Sequence, residues 1–212
     1  MAGGMGSFPV IGVVGGQGGV GASRFAAALA TAAGSSLLID LDPVRGGIDV
    51  LLELEAHAGA RWSGLRLAGG HLDPEDLLRG LPAWGDVAVL AADNADEPDP
   101  AAVEQLLEVA RPACAVVFDL PRADGLARRA AVRHCDLVVL VSRADVAALS
   151  GARSVRRAVG GSVGLLLRGP RNVAPEAGEL VGARLLGRWP ARRADGRALS
   201  RIAAGVLDAV AR

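Results

Sequence analysis

The sequence predicts one doubly wound α/β domain, a mostly parallel sheet of about seven strands with helices on both faces. Three observations carry this. Short β-branched apolar runs alternate with helix-like segments, the rhythm of successive βαβ units. The runs are continuously apolar rather than alternating, as strands buried on both faces require. A glycine-rich turn follows the first run and opens directly into a helix pattern. With 212 residues, the chain has the length of one such domain, on a prior of roughly 100–200 residues per domain.

Strands are read at Val10–Val14, Leu37–Asp40, Val87–Ala91, Ala115–Asp119, Leu137–Val141, Val163–Leu167 and Leu185–Trp189. Helices are read at Ser23–Ala33, Ala101–Ala110, Gly125–His134, Val146–Val159 and Arg197–Ala211. The stretch 53–85 breaks the rhythm with Trp62, Trp84, the pair Gly69-Gly70 and a helix start at Asp73-Pro74-Glu75. It is expected to be an inserted helical excursion whose tryptophans either cap the core or offer a partner surface. Asp93–Pro100 reads as an acidic, proline-broken loop, and no linker or repeat divides the chain.

Composition bounds the chemistry. Hydrophobic residues make up 51% of the chain, enough for a large core, and the 23 basic residues balance the 23 acidic ones. That balance gives no support to a nucleic-acid partner. Every one of the 23 basic residues is arginine, so no side chain can present an ammonium group. Cys114 and Cys135 sit in apolar contexts without paired spacing and read as free thiols. His57, His71 and His134 are scattered, so no Cys/His metal site is expected. The first residues lack the basic and apolar regions of a signal peptide, and no apolar stretch reaches the roughly 18 residues of a membrane span. The expectation is a soluble, cytoplasmic protein.

The chemistry-bearing segment is Gly15-Gly16-Gln17-Gly18-Gly19-Val20-Gly21-Ala22-Ser23, between the first strand and first helix. In the frame G-x-x-x-x-G-K-[ST], Gly16 and Gly21 are the fixed glycines, Ala22 stands where lysine belongs, and Ser23 follows. Glycines let backbone N–H groups converge on a phosphate, and the helix N-terminus adds partial positive charge. The Ser23 hydroxyl is placed to cap the helix or to ligate Mg²⁺. Strand, loop and helix in this order make a phosphate cradle from Gly16 to Ser23, with Arg24 beside it.

GGQGGVGAS resembles the deviant Walker A motif GGKGGVGKT of the MinD/ParA superfamily. The resemblance implies two lysines, one reaching across a nucleotide-sandwich dimer and one holding the β- and γ-phosphates; here those positions are Gln17 and Ala22. Leu38–Pro43, followed by Gly46-Gly47-Ile48-Asp49, is similar to the family's second strand and switch I. There Asp42 aligns with the acid that positions the attacking water. Val116–Pro121 resembles the Walker B and switch II segment, which gives Asp119 the Mg²⁺-side role. Cys135-Asp136, followed by the strand that ends at Ser142, resembles the family's next strand. Arg168-Gly169-Pro170 and Pro190-Ala191-Arg192 fall where relatives contact the base, both altered from the family pattern.

Arg61-Trp62 with Leu65, then Gly69-Gly70-His71-Leu72, resembles an insert of the actinobacterial CpaE-like proteins, related to TadZ and to a septum-site-determining branch. These are associated with Tad (Flp) pilus or secretion systems and with polar or septal placement. They usually carry an N-terminal receiver-like domain, so a short member or an excised domain is expected here.

The resemblance implies a homodimer whose partners are pilus, secretion or septum assembly proteins, with peripheral membrane association as an option. Without both lysines, phosphoryl transfer loses charge stabilisation worth several orders of magnitude in rate. The expectation is a non-catalytic or weakly active ATPase-like scaffold, with ATP and Mg²⁺ bound weakly or not at all. The alternative is an active positioning ATPase using arginine in place of lysine, with Arg24 nearest but one residue into the helix. A DNA-segregation factor is a third option, which zero net charge disfavours. The stripe Leu199, Ile202, Ala203, Val206, Leu207 and Val210 fits core packing or a membrane-facing helix. Arg184, Arg188, Arg192, Arg193, Arg197 and Arg201 form a loose basic cluster, either a solvated surface or an anion or partner site.

Overall fold

A computed structural model describes residues 8–43, 47–65, 73–93, 96–169, 176–190 and 196–211. The strands are β1 (Val10–Gly15), β2 (Ser36–Asp40), β3 (Ala83–Trp84), β4 (Val87–Leu90), β5 (Ala115–Leu120), β6 (Leu137–Arg143), β7 (Val163–Arg168) and β8 (Arg184–Trp189). The helices are α1 (Ala22–Ala33), α2 (Ile48–Leu51), α3 (Pro74–Arg79), α4 (Pro100–Ala110), α5 (Leu126–His134), α6 (Val146–Val159), α7 (Ala177–Val181) and α8 (Gly196–Val210).

One sheet runs β3-β4-β2-β5-β1-β6-β7-β8, parallel throughout except for the β3–β4 pair. The sheet therefore has eight strands among the described residues rather than the seven read from sequence. The addition, β3, pairs Ala83 with Ala88 and Trp84 with Val87. Ala83 and Trp84, between Pro82 and Gly85, are too short a run to show a period, so the strand left no signal.

The central strands are buried along their length, β1 at all six positions. Phe25, Ala26, Leu29 and Ala30 put a narrow buried face of α1 on the sheet, and α1 and α8 cover that side together. Helices α4, α5, α6 and α7 cover the other side. The stripe on α8 is spent on this packing: Leu199, Ala203 and Val206 are buried, and Ile202, Leu207 and Val210 pack against the same cluster. No helix among the described residues is long and apolar enough to cross a membrane.

The stretch 53–85 carries a 3₁₀ turn at Trp62–Gly64, then α3, capped by the Asp73 carboxylate on Glu75 N and Asp76 N, then β3. Trp62 packs partly against the core beneath α4 and α5, and Trp84 against the opposite side. Gly69-Gly70-His71-Leu72, Gly46, Pro170, Ala191, Arg192 and Arg193 lie outside the described residues.

Candidate functional site

At the carboxyl ends of β1, β2 and β5 the loops enclose a cavity of about 440 Å³, within the usual ligand-pocket range of roughly 300–1,000 Å³. Gln17, Gly19, Val20, Gly21, Ala22, Ser23 and Arg24 line it from the loop and α1; Asp42, Asp119 and Arg168 line it from the strand ends. The topology brings together most of the residues singled out in the sequence. Gly16, Gly18 and Pro190 are not in the lining. A larger cavity of about 510 Å³ lies between α6 and α7, lined by Arg153, Arg157, Glu176 and Glu179. It shares no lining residue with the cavity at the glycine loop, and its lining charges are mixed.

The glycine loop has the backbone a cradle needs. Gly19 (φ 67°) and Gly21 (φ 97°) are left-handed, a region that side-chain-bearing residues enter at a cost. Gly21 is the N-cap of α1 and no side chain caps the helix; its first turn lines the cavity, so the positive end of its dipole faces it. Gly16 N donates to Val141 O at 2.8 Å. A Cβ on Gly16 would lie 2.9 Å from Ala152 Cβ, so α6 packs directly on the loop backbone.

Side chains of this chain also hold the loop. Ser142 Oγ lies 3.3 Å from Gln17 Oε1, 2.9 Å from Arg143 O and 3.3 Å from Ala148 O. Gln17 Nε2, meanwhile, is buried with no partner. One hydroxyl hydrogen cannot serve three acceptors. Turning the amide over lets Nε2–H donate to Ser142 Oγ, whose hydrogen then goes to Arg143 O. In either orientation Gln17 folds back onto its own chain.

On the other flank Arg168 Nη1 donates to Val20 O at 2.8 Å, and its guanidinium stacks 4.8 Å from the Trp189 ring centroid. The fully buried Trp189 ring closes on Gly21, where a Cβ would come within 2.9 Å of it.

The acidic side is built around Asp40. Its Oδ1 accepts from Asp42 N and its Oδ2 from Ile48 N, both at 2.9 Å, so one carboxylate ties both ends of the loop between β2 and α2. Its carbonyl accepts from Trp62 Nε1 at 2.8 Å. Next to Trp62, Arg61 donates to the carbonyls of Leu54, His57 and Gly59 and faces Asp49 at 3.7 Å. Asp119 stands in register beside Asp40 on β5 and is 6% exposed. Burial pushes the Asp40 carboxyl from 3.8 up to about 6; the two backbone donors oppose the rise, and the Asp42 and Asp49 carboxylates add to it.

An acid whose folded pKa is raised contributes stability while protonated, and that contribution is lost as pH rises from about 4 to about 6. Asp40→Asn removes this titration. Between about pH 4 and pH 7 the stability difference is expected to move towards the variant by as much as about 3 kcal/mol, at about 1.4 kcal/mol per pKa unit. Urea unfolding at the two pH values checks it, and a difference that stays constant counts against a protonated Asp40.

Sequence reading did not find Arg128, Ser142, Trp189 or the Arg168–Val20 bond as parts of the site. Arg128 is 1% exposed and donates to Arg122 O and Ala123 O at 2.8 and 3.1 Å, which holds the loop after β5. Its one signal is an arginine within the alanine stripe Ala127, Ala130 and Ala131. Among the described residues, no cluster of His, Cys, Asp or Glu has metal-holding geometry. Ser23 and Asp119 nonetheless share the cavity lining.

No family model matches the sequence. Two uncharacterized proteins of Mycobacterium tuberculosis, from strains CDC 1551 / Oshkosh and ATCC 25618 / H37Rv, are each 41% identical over 177 residues. The match covers 81% of this chain and 51% of theirs, so the chain spans about half the length of these relatives. A ParA family ATPase from Chlorobium tepidum TLS superposes with a TM-score of 0.74 at 17% identity, covering 97% of this chain and 98% of that one. The cell division ATPase MinD of Pyrococcus furiosus gives 0.69 at 17% identity over 95% and 99%. The septum site-determining protein MinD of Pyrococcus horikoshii OT3, complexed with Mg-ADP, gives 0.63 at 17% identity over 96% and 94%. With the glycine loop between β1 and α1 and the sheet order about it, these superpositions make the fold of this chain that of the MinD and ParA ATPases.

Proposed function

We propose that this chain is a non-hydrolysing or weakly active MinD/ParA-type scaffold. It positions or assembles other proteins, in a Tad (Flp) pilus or secretion system or at the septum, as a member of the CpaE-like and TadZ branch. One observation carries the reading: the loop lacks a cation at Gln17 and Ala22, and its own chain holds it through Ser142, Val141 and Arg168. A lysine that meets the transferring phosphoryl group acts by charge placed beforehand, and neither position supplies it.

The cavity fits Mg-ATP in volume and in Ser23 and Asp119, which would hold the Mg²⁺; Asp42, in the same lining, would position the attacking water. It does not fit in the cation. Backbone amides and the α1 dipole leave weak nucleotide docking. As a scaffold the chain is one domain in which 53–85 is an insert. The insert and the switch loops meet partners, and the chain works as a homodimer in the cytoplasm, recruited to a pole, the septum or the inner membrane face.

A second reading has one observation in its favour. Arg24, Arg122 and Arg168 line the same cavity as Asp42 and Asp119, so an arginine could serve where lysine is missing. Titrating the purified chain with ATP and Mg²⁺, following both binding and phosphate release, separates the two. The expected result is weak binding without turnover. Turnover that disappears in Asp42→Ala would establish the active ATPase instead.

A further inference from the structure

A smaller cavity of about 250 Å³ opens where the 3₁₀ turn at Trp62–Gly64 meets the loop before α4. Trp62 and Leu65 give it an apolar wall, and Asp96, Glu97 and Asp99 an acidic one. No arginine lines it among the described residues. Acidic side chains alone make a solvated surface; here they share an enclosed space with an aromatic ring. The volume lies below the roughly 300–1,000 Å³ of small-molecule pockets, so it suits one long side chain rather than a whole cofactor.

Both walls are held by the chain itself. Trp62 Nε1 donates to Asp40 O at 2.8 Å, which fixes the ring against the β2–α2 loop. Ser63 donates to the Asp93 carboxylate through its backbone N and its hydroxyl, tying the turn to the end of β4. Glu97 Oε1 accepts from Ala127 N and Asp99 Oδ1 from Ala101 N, each at 2.9 Å. Each of these two carboxylates thus spends one oxygen on a helix start. Neither makes an ion pair among the described residues, so acceptor capacity and negative charge remain.

We propose that this pocket takes an arginine side chain from a short basic segment of a partner protein. A guanidinium over the Trp62 ring gains a cation–π contact. Its fork of donors matches the carboxylates of Glu97 and Asp99, and its apolar stem lies along Leu65. Nucleic acid and anionic lipid carry the same sign as the acidic wall and are repelled. The occupant would also be felt at two loops, because Trp62 is bonded to the β2–α2 loop and Glu97 to the start of α5. The proposal rests on the scaffold reading for the insert's role and deepens it by naming the chemistry of the partner.

The test titrates the ¹⁵N-labelled chain with the peptide acetyl-Gly-Arg-Gly-amide. The Trp62 indole N–H resonance, assigned by its loss in Trp62→Phe, reports binding. Glu97→Gln combined with Asp99→Asn removes both charges yet keeps an acceptor for each backbone N–H. Glu176→Gln combined with Glu179→Gln removes the same charge from the cavity between α6 and α7. Saturable binding is expected in the millimolar range. The Kd should rise at least about fivefold, or about 1 kcal/mol, in the pocket variant and less than about twofold in the control. The citrulline peptide, of the same shape without the charge, should not saturate. No shift at millimolar peptide, equal weakening in both double variants, or citrulline or spermidine binding as tightly as the arginine peptide would overturn the pocket. Phosphate release with Mg-ATP in the same samples separates the two ideas. Turnover alongside pocket binding would sink the non-hydrolysing reading and leave the pocket standing; no peptide binding and no turnover would do the reverse.

Discussion

Ala22→Lys is expected to tighten Mg-ATP binding by about 10- to 100-fold, from the roughly 1.5–3 kcal/mol of a hydrogen bond to a charged group. Ala22 is the first residue of α1, lines the cavity and is only half-buried, so a lysine stem has a path into the space the loop encloses. Ala22→Met, similar in size without the charge, separates a gained cation from a filled hole and is expected to leave affinity near that of the parent. Isothermal titration with ATP, ADP and pyrophosphate reads the effect, and the gain should be largest where more than one phosphate is present. Equal affinities for parent and lysine variant would mean that the loop does not form a phosphate-competent cradle. Adding Gln17→Lys tests a second point. If Asp42 and Asp119 stand where the attacking water and Mg²⁺ need them, the double variant acquires phosphate release that Asp42→Ala abolishes.

The fold was legible because its signals are local and repeated. The strand Leu137–Arg143 opens on the apolar run Leu137–Val141 and has six consecutive buried positions, and burial on both faces leaves that mark in any order of strands. The glycine loop was legible for a similar reason, since strand, turn and helix are adjacent in sequence. What could not be read joins residues far apart. Arg168 and Val20 are separated by 148 positions and Ser142 and Gln17 by 125, and no periodicity links such pairs. Asp40 shows the same limit. Its neighbour two positions on, Asp42, is the residue the motif resemblance picks out, yet Asp40 is the carboxylate that holds both ends of the loop. An aspartate ending a buried strand gives no hint of two backbone donors arriving from the segment after it. The short β3 was missed for lack of length, not through any conflict between local preference and fold.

Trp189→Ala is expected to cost about 3–5 kcal/mol, the range for truncating a buried aromatic residue. In a chain of this size that lowers the melting temperature on the order of 10 °C. The side chain is 1% exposed and belongs to the core cluster that includes α1 and α8. Its ring also meets the backbone at Gly21 and carries the Arg168 guanidinium. The loss should therefore reach the loop as well as the core. Once the ring is gone, Arg168 has nothing to lie against, and the bond to Val20 O must hold a long, flexible side chain alone. Amide hydrogen exchange at residues 17–23 is expected to speed up in Trp189→Ala more than in an equally destabilising substitution on the far side of the sheet, such as Leu106→Ala on α4. Trp189→Phe combined with Arg168→Ala then isolates the stacking term, expected at about 0.5–2 kcal/mol of coupling in a double-mutant cycle. A loop that exchanges identically in Trp189→Ala and Leu106→Ala would mean that Trp189 fills space only, and that Gln17, Gly16 and the Arg168–Val20 bond hold the glycine loop without it.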